Sequence, residues 1–113
     1  MTPQDLTQEE HLALVGLLRQ LAAMDGTVTE AETAALQELG DELGGNRFLQ
    51  RWREAGERFS TPQDALDFAA HEVQRPEARR LILTLLVDLV QVERRSRAEE
   101  QLVGKVRLMW GLF

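Results

Sequence analysis

Asp25-Gly26, followed by Glu32, is the first spacing in this 113-residue chain that could do chemistry. An acid, a glycine and a later glutamate match the fifth, sixth and twelfth positions of a calcium-binding EF-hand loop. The first and third positions would then be Leu21 and Ala23. Calcium takes about six to eight oxygen ligands, so apolar residues at two ligand positions rule out the hand. What remains is a weaker divalent-cation site built from Asp25, Glu32 and a nearby acid. Against it stands an architectural reading, in which Asp25-Gly26 is a turn and Glu32 a helix-capping residue.

Other chemistry is thinner. His71-Glu72-Val73-Gln74-Arg75 has the start of a zinc-peptidase helix motif, but Arg75 stands where the second histidine must be. His11 and His71 therefore read as surface or boundary residues. The chain has no cysteine, which removes disulfides, thiolate metal sites and cysteine nucleophiles together. Its two serines, Ser60 and Ser96, both fall at expected helix starts. No nucleophile–base–acid set can be argued from spacing, and no catalytic residue is nominated.

The net charge of −6 is uneven. Residues 1–45 hold nine acids and one base, Arg19, whereas residues 46–113 hold ten acids and twelve bases. Phosphate backbones need a basic face, so nucleic acid is not the expected partner. An acidic half suits a cation or a basic protein surface. Glu38, Asp41 and Glu42 are the exposed acids expected to meet such a partner.

The elements that must position these residues are all helical. Thr7 and Glu10 form a capping box for a helix over 8–24, with Leu12, Val15, Leu18 and Ala22 as its stripe and Leu14, Leu17 and Leu21 widening it. Thr29 and Glu32 repeat that box for a helix over 29–43, stopped by Gly44-Gly45. A third helix begins near Asn46 as cap and buries Phe48, Trp52, Ala55 and Phe59. Its Arg47, Arg51 and Arg58 fall on other faces, and Gly56 weakens its last turn by about 1 kcal/mol. Thr61-Pro62 opens a fourth helix carrying Ala65, Leu66, Phe68, Ala69 and Val73. The fifth runs over 76–93. It is apolar nearly all round from Leu81 to Val92, so it is expected to be the central helix, with Thr84, Asp88 and Gln91 as one polar stripe. Ser96 and Glu99 cap a sixth, whose Met109, Trp110 and Phe113 read as end-packing rather than a docking segment. No strand alternation appears. The most apolar stretch is too short to span a bilayer. With no basic, apolar leader at the N-terminus, the expected setting is the cytoplasm.

A shift of 67 residues superposes two segments without gaps: Leu14 on Leu81, Leu18 on Leu85, Thr29 on Ser96, Glu32 on Glu99, and Gly44 on Gly111. The first and last helical hairpins thus read as two copies of one unit. The second copy has Val92-Glu93 where the first has Asp25-Gly26. What it retains is the helix-starting chemistry, and what it lacks is the part a metal needs.

The pattern Ala22, Asp25, Gly26, Val28 and Glu32, a helical middle, and a second hairpin closing on Gly111-Leu112 resembles the TerB-like family. That family includes tellurite-resistance TerB proteins and the N-terminal domain of DjlA co-chaperones. The resemblance covers about residues 8–112. It implies one all-α domain over 1–113, a bundle of five to seven helices with an internal hairpin repeat. It also implies a non-enzymatic scaffold or adaptor binding other proteins in a cytoplasmic, membrane-proximal bacterial stress setting. The alternative is a divalent-cation-binding protein using the Asp25 and Glu32 carboxylates, the positions that match the acids considered for metal in relatives.

Overall fold

The computed structural model describes residues 2–24, 34, 37–38, 40–41, 44–91 and 97–112, and every regular element among them is helical. A 3-10 turn at Pro3–Asp5 leads into α1 (Gln8–Met24). α2 (Asn46–Arg58), α3 (Pro62–Glu72), α4 (Pro76–Gln91) and α5 (Arg97–Trp110) follow. Residues 34, 37–38 and 40–41 are helical too, within the helix expected over 29–43. The Cα radius of gyration is 12.7 Å, close to the roughly 13 Å of a compact chain of about 100 residues. Among the described residues, no helix is long and apolar enough to cross a membrane.

α1 starts as its sequence dictates. The Thr7 amide donates to Glu10 Oε1 at 2.8 Å and the Glu10 amide to Thr7 Oγ1 at 3.2 Å. Two of the donors that every helix leaves unpaired at its start are thereby satisfied. From there Leu12, Ala13, Leu14, Val15, Leu17, Leu18 and Leu21 are all buried.

Among the described residues α1, and not the helix expected over 76–93, is the centre of the bundle. It packs against all four other described helices, whereas α4 packs against α1 and α5. The reason lies in small residues. An added Cβ at Gly16 would sit 2.7 Å from Phe59 Cε2, so Phe59 lies directly across the α1 backbone. Ala13 is likewise fully buried. α4 has a wet face instead: Thr84 and Asp88 are exposed as expected, and Leu81, Leu85 and Val87 are only half-buried. Hydropathy alone ranked α4 first, but it records how apolar a helix is and not how closely its neighbours can approach.

One contact ties the start of α1 to the α3–α4 junction. Glu10 is 2% exposed, and the Arg75 guanidinium grips both its oxygens, with Nε donating to Oε2 at 3.0 Å and Nη2 to Oε1. Arg75 Nη2 also donates to the Asp5 carbonyl at 3.0 Å. The hydrogen bond from Arg75, helped by the Thr7 amide and opposed by burial, holds the Glu10 carboxyl below its ordinary pKa.

Two helix ends share one device. Gly44 has φ +99° and Gly111 φ +67°, values that penalise any side chain. Gly45 N donates to Gly40 O and Gly44 N to Asp41 O; Leu112 N donates to Arg107 O and Gly111 N to Leu108 O. These are matching Schellman closures, and the two glycines are those the 67-residue shift superposes. Because Gly45 completes the first closure, it also takes the N-cap position of α2. Asn46, expected as the cap, is instead the first helical residue, and no side chain caps α2. α3 begins as expected, with Thr61 Oγ1 accepting from the Asp64 amide at 3.2 Å and Pro62 in the first turn. Trp110 is buried, and Met109 and Leu112 pack against the core, in line with an end-packing role.

Candidate partner-binding groove

α2 advances about 100° per residue, so its positions sort into stripes. Phe48, Ala55 and the capping Phe59 point into the core. Beside them, Gly45, Leu49 and Trp52 face the helical residues Gln37, Gly40 and Asp41 across a groove of about 600 Å³.

The floor of the groove is fixed from below. Gly40 lets Phe48 close in, since an added Cβ there would lie 3.0 Å from Phe48 Cδ1. The Phe48 and Trp52 rings pack at 5.6 Å between centroids, tilted by 45°. The Arg19 guanidinium of α1 lies 5.5 Å from the Trp52 ring centroid, and its Nη1 donates to the Trp52 carbonyl at 3.4 Å. Such a cation over an indole adds roughly 0.5–1 kcal/mol at a partly exposed site. Gly56 makes room for it, because a Cβ there would fall 2.7 Å from Arg19 Cζ. The glycine that weakens the helix locally is thus the one that lets Arg19 orient the indole.

Leu49, on the wall, is 58% exposed. It is one of two large exposed hydrophobics among the described residues; the other is Leu108 on α5. A single exposed leucine is ordinary, but one set beside a concave aromatic floor is apolar surface shaped to be covered.

Comparison with family models, curated proteins and solved structures gives no match.

The residues expected from sequence to face a partner fall unevenly. Glu38 and Asp41 are helical and exposed, and Asp41 lines the groove. Glu42 lies outside the described residues, as do Asp25 and Glu32, the proposed cation ligands. Among the described residues no three His, Asp or Glu side chains converge as a metal site. His71 is exposed and His11 half-buried, as expected for surface and boundary positions.

The groove itself was not anticipated. Spacing assigns both Phe48 and Trp52 to the core, whereas Trp52 is only half-buried. Leu49 is the available signal, an apolar residue one position off the core stripe and four residues after the Gly44-Gly45 pair.

Proposed function

We propose that this chain is a non-enzymatic helical adaptor of TerB-like type, which works by docking a basic, partly apolar segment of another protein. The observation that carries the reading is the groove between Asp41 and Leu49. It has a fixed aromatic floor, an exposed apolar wall and the exposed Asp41 carboxylate on one side, with Glu38 exposed on the same helical segment. A partner segment with apolar and basic residues would cover the first two and complement the last. The resemblance at Ala22, Asp25, Gly26, Val28 and Glu32 supports the family. The matching closures at Gly44 and Gly111 support its hairpin repeat. The cytoplasmic, tellurite-type stress setting is part of the same proposal and rests on the resemblance.

Affinity capture with wild-type bait and with a Glu38→Lys, Asp41→Lys, Glu42→Lys bait tests it. The reading expects specific partners to be lost from the charge-reversed bait while its helical circular dichroism stays unchanged. Retention of every partner places binding elsewhere. For the setting, the expected gene neighbourhood is one of tellurite-resistance genes; a secretion cluster would count against it.

A further inference from the structure

The opposite flank of α2 builds a second site of different chemistry. Arg47 and Arg51, one turn apart on α2, face His11 and Gln8 of α1 and its cap Thr7 across a cleft of about 380 Å³. No acidic residue among the described ones lines it. Arg47 is exposed; its amide donates to the Gly44 carbonyl, and its side chain makes no hydrogen bond or ion pair among the described residues. Arg51 is held in place: its Nη1 donates to Glu54 Oε2 at 2.9 Å. With its amide turned so that the oxygen faces the guanidinium, Gln8 accepts from Arg51 Nη2 at 2.7 Å.

Among the described residues, two buried nitrogens in this cluster, Arg51 Nε and His11 Nε2, have no hydrogen-bond partner. A buried donor left unpaired costs about 1–3 kcal/mol, so such groups mark a place where a ligand can repay the fold. The His11 pKa is pushed down by burial and then by the charges of Arg51 and Arg47. The local field is therefore positive, even though Glu54 pairs with Arg51 and the chain as a whole is acidic. The start of α1 borders the cleft, and the partial positive charge of a helix N-terminus has the same sign.

We propose that this cleft is an oxyanion site for a phosphate group, gripped by Arg47 and Arg51 with His11 beside them. Two guanidinium charges suit a dianion better than a single carboxylate: Arg47 is free to present parallel N–H donors, while Arg51, held by Glu54 and Gln8, adds its charge and its unpartnered Nε–H. The volume lies within the roughly 300–1,000 Å³ of small-molecule sites. That leaves room for the organic part of a phosphomonoester beyond the phosphate itself.

The chain has two histidines, so a ¹H–¹⁵N imidazole correlation spectrum reports the cleft through His11 and an exposed reference through His71. Inorganic phosphate and glycerol 3-phosphate are titrated separately. Saturating shifts at His11 with at least one ligand, and none at His71, are expected, with Kd roughly millimolar or tighter. Tighter binding of glycerol 3-phosphate identifies a phosphomonoester ligand; equal affinity identifies phosphate alone. Arg47→Ala, which removes no internal bond, should weaken binding about tenfold or more. Arg51→Gln should do the same if it folds. Non-saturating shifts into the tens of millimolar, equal shifts at both histidines, or wild-type affinity in Arg47→Ala would each overturn the site.

Discussion

Glu10 does two jobs with one carboxylate. It closes the capping box of α1 and takes the Arg75 guanidinium. The first job is visible in sequence, because Thr7 and Glu10 are three residues apart and the pattern is local. The second is not, because 65 residues separate the partners and nothing in either stretch names the other. In the sequence Arg75 stands only as the residue that spoils a zinc motif. Its role is instead to hold a buried acid ionised. Since the folded-state pKa of Glu10 lies below its ordinary value of 4.5, the contribution is fully present above that value. It is lost as pH falls through the depressed folded value. Glu10→Gln should therefore destabilise the protein at pH 7, and urea unfolding at successively lower pH should show the gap to wild type shrinking. A gap that stays constant down to full protonation would mean that charge plays no part.

At the level of the element, α2 lines both proposed binding surfaces. Its helical period and its inward Phe48, Ala55 and Phe59 were legible, as were arginines on other faces. How the remaining positions divide was not. The division depends on what lies opposite: Gly40 and Asp41 on one side, His11 and Gln8 on the other. Adjacent residues of α2 should consequently respond in opposite ways. Phe48→Ala should cost roughly 3–5 kcal/mol of unfolding free energy, while Leu49→Glu should change it by no more than about 0.5 kcal/mol and still abolish partner capture. Similar losses for both would show that Leu49 is structural. The α1–α2 crossing is equally specific. Gly16→Val would drive a branched side chain into Phe59, at an expected cost of roughly 1–3 kcal/mol, measurable as a lower Tm. An unchanged Tm would mean that Phe59 can move aside freely.

Across the whole molecule, the all-helical class could be read from the spacing of apolar residues and caps. Which helix is central among the described residues could not. Leu81–Val92 is the most apolar run, yet Gly16 and Ala13 let α1 be approached from several sides at once. The matched closures at Gly44 and Gly111 follow the 67-residue offset seen in the sequence. The corner at Asp25-Gly26 and Glu32 lies outside the described residues. The proposed docking of another protein therefore belongs to the surface around Gln37, Asp41, Leu49 and Trp52. Its most direct test places a photo-crosslinking phenylalanine analogue at position 49 in the living cell, with position 108, the other exposed leucine, as control. A discrete cross-linked partner is expected at 49 and none at 108, and the adduct should vanish when Glu38 and Asp41 are both changed to lysine. No discrete adduct at 49, or the same adduct at both positions, would contradict the claim.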